Sequence, residues 1–221
     1  MSSFPNSPYV LKGGIVLLDP TTAQVQRIIV LQYNPDTITR SLQVQAVSEG
    51  SDRSEALRLK GPPVETFKVE AEIDATDQLE TAKDDNNRTV IDYGIHPQIS
   101  VLEGIVYPKS TEAQLNFALS QTGKLEIMPL EAPLTLFVWS SKRILPVRLT
   151  EFSVTEEAFD TKLNPIRAKV SLGMRALSYD DLGFSTKGGS LFLAYQQQKE
   201  RMAAMSAAGT FGVLGIGGIH E

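Results

Sequence analysis

From Ile166 to Leu177 apolar and polar residues alternate almost without interruption, with Ile166, Ala168, Val170, Leu172, Met174 and Ala176 in one phase and Arg167, Lys169, Ser171 and Arg175 in the other. A period of two belongs to a strand with one dry and one wet face. The stretch Val147 to Val154 is its natural partner, but Val147 and Leu149 share one phase while Phe152 and Val154 share the other, which predicts a bulge near Thr150-Glu151. Together they predict a long antiparallel hairpin. The connection Thr155 to Pro165 is polar and rich in turn formers, and Asn164, preceding proline, is biased towards extended geometry.

Other segments repeat this grammar. Gly14 to Leu18 and Val25 to Tyr33 read as strands joined at Asp19-Pro20-Thr21-Thr22, and Tyr33-Asn34-Pro35 marks a further turn. Ile38 to Val47 continues as a strand, Ser48 to Ser54 is a polar loop, and Val64 to Ile73 alternates with one wet face. Residues Asp74 to Glu80 predict a short helix, Asp84 to Asn87 a loop, and Pro97 to Tyr107 a helix with proline in its first turn. Thr111 with Gln114 suggests a capping box for another helix. Gly123 to Met128 and Pro133 to Trp139 return to strands; Tyr179 to Gly183 and Gly188-Gly189 read as linkers, and Leu191 to Met205 as a helix. The expected class is mainly β within α+β, a predominantly antiparallel β fold with a helix laid across it, followed by a C-terminal helix and a glycine-rich tail. Residues 1–182 are expected to form the main domain and 183–221 the helix and tail.

A chain of 221 residues with 42% hydrophobic content can bury a large core. A formal net charge of −5 without a basic block argues against nucleic acid as a general partner. With no cysteine there is no disulfide, thiolate metal site or thiol nucleophile. The start Met1 to Asn6 lacks the basic and apolar regions of a secretory signal, and Ala203 to Ile219 is too short and too rich in glycine and alanine for stable membrane insertion. The cytoplasm is the expected site of synthesis.

Catalytic chemistry is sparse. Asp92 and His96 imitate an acid–base pair, but a capping or solvated histidine explains them without any nucleophile nearby, and His220 is penultimate. Asp84-Asp85 and Asp180-Asp181 lack the interleaved spacing of calcium loops, and the glycines from Gly212 to Gly218 lack the lysine and preceding strand of a phosphate loop. No enzyme, cofactor or metal is expected. Two readings of the Arg167, Lys169, Arg175 stripe stay open: a surface for an anionic partner or polar passage, and an ordinary wet sheet face.

Assembly is the better-supported use. Long hairpins present backbone edges that must be paired or protected. The tail residues Phe211, Val213, Leu214, Ile216 and Ile219 need burial, either against a neighbour or against their own domain. A competing class is a β module that binds an envelope glycan or peptide through Trp139 and Tyr33.

Several stretches also resemble a known family. Leu31 to Arg40, Gly61 to Glu65, Ile73 to Glu80, His96 to Ile99 with Leu102-Glu103, and Thr155 to Asp160 with Asn164 to Ala168 are similar to the tube-like proteins of contractile injection systems, machines derived from phage tails. The resemblance spans Tyr9 to Leu177 and carries no catalytic motif. It implies a tail-tube fold, an antiparallel β-sandwich or barrel with a flanking helix, whose hairpins join those of neighbours in a ring, a hexamer, around a channel. It implies as partners the tube protein, the spike protein and other baseplate subunits, with a role as tube initiator or hub adaptor in a contractile particle assembled in the bacterial cytoplasm. Some members of the family carry a C-terminal LysM module and act as adaptors between tube and spike; the residues after Leu177 read as a helix and a glycine-rich tail instead. The candidates for subunit contacts or a lumen are Tyr33, Asn34, Asp160, Asn164, Arg167, Lys169, Ser171 and Arg175, and the five apolar tail residues are the candidates for docking.

Overall fold

The computed structural model describes residues 10–46, 58–80, 87–121 and 132–219. The expected strand Gly123 to Met128, the loop Ser48 to Ser54, Asp84-Asp85 and His220 lie outside the described residues. Seven strands form one antiparallel sheet: β1 (Gly14–Leu18), β2 (Val25–Val30), β3 (Ile38–Gln43), β4 (Val64–Asp74), β5 (Leu134–Ser140), β6 (Arg143–Phe159) and β7 (Pro165–Ala176). Their order is β2-β1-β5-β6-β7-β4-β3. Helices α1 (Thr76–Glu80), α2 (Arg88–Tyr93), α3 (His96–Glu103), α4 (Ser110–Gln121), α5 (Tyr179–Leu182) and α6 (Lys187–Ala204) complete the expected α+β class.

The sheet curls until distant strands meet. Phe67 on β4 and Phe137 on β5 are separated by two strands in the order, yet their rings lie 5.7 Å apart. They belong to a core with Leu145, Val147, Met174, Phe192 and Tyr195. A second core joins Ile15, Ile29, Ile73, Val170 and Leu172 to Ile95, Ile99 and Leu102 at α3. No strand pairing joins β2 to β3 or β4 among the described residues, so the expected barrel is not closed.

The β6–β7 hairpin keeps the predicted bulge, with register slipping between Leu149 and Glu151. Its strands run further than the sequence implied: β6 continues to Phe159, leaving only Asp160 to Asn164 as the turn, because Thr155, Glu156 and Glu157 pair with Lys169, Ala168 and Arg167. Helix α3 begins at His96 with proline in its first turn, as expected, but stops at Glu103, where Gly104 caps it.

Two supposed linkers are ordered. Ser178 accepts from the Asp180 amide while Asp181 accepts from the Ser178 amide, a capping box that starts α5. Thr186 caps α6 by accepting from the Gly189 amide, so α6 begins at Lys187. Gly188 and Gly189 are buried because the helix start lies against Leu182 and the Gly183 carbonyl, where a Cβ would clash.

Candidate assembly surface

Strand β5 accompanies β6 only as far as Val147, which faces Thr135. From Arg148 to Phe159 the side of β6 away from β7 has no strand partner among the described residues. Strand β3 ends the sheet on the other side, and its outer edge is equally open. The half-sheet β6-β7-β4-β3 therefore carries an unpaired edge at each margin, with backbone donors and acceptors ready for another strand.

Its wet face is a charge ladder. Nε of Arg167 donates to Asp74 Oδ2 at 2.8 Å and its NH2 group lies 2.7 Å from the same oxygen, with Glu72 at 3.8 Å. Lys169 pairs with Glu157 at 3.3 Å, and Lys68 reaches Glu151 at 3.1 Å across Gly173, which has no side chain to obstruct it. Ser171 sits between Glu70 and Ser153 in register. Arg175 donates to Asp181 at 2.9 Å. Acidic neighbours on β4, β6 and α5 thus neutralise the stripe that looked basic in one strand. Burial opposes the charge on Asp74, but the Thr76 hydroxyl and amide together with Arg167 hold its carboxyl below the usual range.

Asp160 and Asn164 form the hairpin tip. The Asp160 carboxylate accepts from the amides of Lys162 and Asn164 and from the Asn164 side chain, which hold its carboxyl below the usual range. Asn164 Nδ2 also donates to the Asp92 carbonyl, tying the tip to α2. At the far side of β4, Asn34 accepts from the Gly13 amide and donates to the Leu11 carbonyl. Tyr33, Asn34 and Lys169 meet in a cleft of about 500 Å³ with Asp36, Glu70 and Glu72, so three of the sequence candidates converge there.

One group escaped the sequence reading. Glu65 is 2% exposed and faces the core. Its Oε1 accepts from the Tyr195 hydroxyl and its Oε2 from Lys199, both at 2.9 Å, while Arg40 Nε lies 3.5 Å from Oε1. The signal was available: Glu65 shares its phase with Phe67, Val69, Ala71 and Ile73. Burial first, and then the Glu65 charge, push the Tyr195 phenol far up.

The tail residues Phe211, Val213, Leu214, Ile216 and Ile219 are all exposed, in a segment folded into turns in which the Ile216 amide donates to the Phe211 carbonyl. Trp139 is half-buried, stacked on Phe137 and packed against the core. That is not a free aromatic platform. His96 opens α3 and Asp92 lies in α2, with no hydrogen bond or ion pair between them among the described residues. Among those residues no group of three metal-ligating side chains converges, and no helix is long and apolar enough to cross a membrane.

No family model and no curated protein matches the chain. Among solved structures it is similar to a chain of the virion of a native gene transfer agent particle, with 12% identity over 74% of this chain and 90% of that one, at a TM-score of 0.26. A chain from the tail of an empty gene transfer agent particle with C6 symmetry gives 14% identity, 75% and 90% coverage, and a TM-score of 0.27.

Proposed function

We propose that this chain is a structural subunit of a phage tail-like contractile particle, and that copies join side by side into a hexameric ring through their open sheet edges. The observation that carries this reading is the unpaired run of β6 from Arg148 to Phe159, facing away from the same half-sheet whose other margin is β3. An antiparallel register that sets Leu42 of one copy against Val154 of the next also sets Arg40 against Glu156, Ser41 against Thr155 and Thr39 against Glu157. Faces match in that register, since Leu42 lies beside Glu65 and Val154 beside Val170, both on the inward side. It covers Leu42, which is 44% exposed, and places opposite charges across the joint.

In this reading the charge ladder of β4, β6 and β7 lines the channel, and the protein acts by assembly without a catalytic step. The ring joins the inner tube to the baseplate hub and spike, with the apolar tail gripping an adjacent subunit. The sequence resemblance to tube-like proteins supports that position. Native mass spectrometry and negative-stain microscopy across a concentration series test the reading. Closed rings are expected; a protein that stays monomeric at every concentration, and binds no tube, sheath or spike protein, contradicts it.

A further inference from the structure

We infer that the buried Glu65 carboxylate links the open β3 edge to α6, so that a neighbour pairing with β3 tightens the helix and the tail it carries. The inference rests on the proposed ring for its assembly half only. Glu65 stands on β4 and gathers groups from both sides: Arg40 from the edge strand β3, Tyr195 and Lys199 from α6. Lys199 also lies 4.2 Å from the centre of the Tyr195 ring, so the α6 contribution is one packed unit. The Arg40 charge is felt at Tyr195, where it favours the ionised phenol against the effect of Glu65.

Arg40 is the most exposed member of this set, at 38% of its side chain against 33% for Lys199, and it sits where the neighbour's strand would arrive. A strand laid along β3 would fix the Arg40 backbone and remove water from the guanidinium, which strengthens its interaction with Glu65 in the drier surroundings. Five N–H donors allow the guanidinium to serve Glu65 and an incoming carboxylate together. Beyond Lys199 the last turn of α6 and the tail are exposed, so the Glu65 cluster is the final fixed point before the tail. Coupling of this kind is reciprocal: whatever loosens α6 at Glu65 also weakens pairing at β3.

Hydrogen exchange on the full chain, below and above the concentration at which rings form, tests the link. In dilute monomer Arg40→Met should speed exchange of the α6 amides by about three- to tenfold, the loss of one charge-assisted contact. In the wild type the same amides should slow on assembly. The double variant Tyr195→Phe, Lys199→Met leaves the β3 edge intact, so rings should form at higher concentration and α6 should no longer respond to them. Unchanged α6 exchange in monomeric Arg40→Met, or a double variant that keeps the wild-type slowing, overturns the inference. If no rings form at any concentration the assembly reading fails, and the monomer comparison still decides whether Arg40 supports α6.

Discussion

Gln32 makes with Asp74 the pair of hydrogen bonds that two strands would make with each other. Its Nε2 donates to the Asp74 carbonyl at 2.6 Å and its Oε1 accepts from the Asp74 amide at 3.0 Å. Gln32 follows β2, one margin of the sheet, and Asp74 ends β4, next to the other. A side chain therefore clasps a curl that no strand pairing closes among the described residues. Gln32→Ala should lower unfolding stability by about 1–2 kcal/mol, as expected when two backbone groups lose partners. Urea denaturation measures it; a midpoint equal to wild type would show that the clasp contributes nothing.

Acid should weaken the protein through its turn and rung carboxylates. Asp160, held by Asn164, and Asp74 and Asp181, where hydrogen bonds and arginines outweigh burial, all titrate below their usual 3.8. A depressed folded-state pKa favours the folded protein above the unfolded value, and that contribution disappears as pH falls through the folded values. Urea midpoints should therefore hold steady from neutral pH to about 5 and drop below about 4. Asp160→Asn should lower the midpoint at neutral pH and make the acid drop shallower. A variant that parallels wild type at every pH contradicts this.

Gly173 is the one residue of β7 whose Cβ would collide with the bulge. Built there, it meets Glu151 Cβ at 2.8 Å and Thr150 Oγ1 at 3.3 Å. Gly173→Val should cost about 1–3 kcal/mol by overpacking and should disturb the Lys68–Glu151 pair that crosses the glycine. Thermal unfolding reports the cost, and a melting temperature at or above wild type would refute it.

Much of this fold was legible because the long hairpin obeys its own local pattern: the alternation of β7 and the phase slip at Thr150-Glu151 both survive in the structure. What one strand cannot reveal is its neighbour. Arg167 and Lys169 read as a basic stripe until β4 and β6 place Asp74, Glu72 and Glu157 beside them. The curl was hidden for the same reason, since Phe67 meets Phe137 only through a strand order that jumps from β1 to β5 and from β7 to β4. The start of α6 is hidden in the sequence because Gly188-Gly189 looks flexible in isolation, whereas a close approach to Gly183 requires small residues there. The phase of Glu65 sets it among core residues, but its partners Tyr195 and Lys199 lie 130 and 134 residues away and nothing local announces them.

The absence of native cysteine makes the ring joint open to a clean test. Ser41→Cys with Thr155→Cys places one thiol on each open edge; within a single chain Ser41 lines up with Arg175 of β7 and Thr155 with Lys169, so about 14 Å across the strands and about 20 Å along them keep the two beyond the reach of a disulfide. Under mild oxidation and denaturing electrophoresis, pairing of β3 with β6 predicts a ladder of covalent multimers ending in a closed ring. Adding Arg40→Glu should suppress it by setting like charges opposite each other, and a further Glu156→Arg should restore it. A protein that remains monomeric on the gel at concentrations where native mass spectrometry shows rings would contradict this joint.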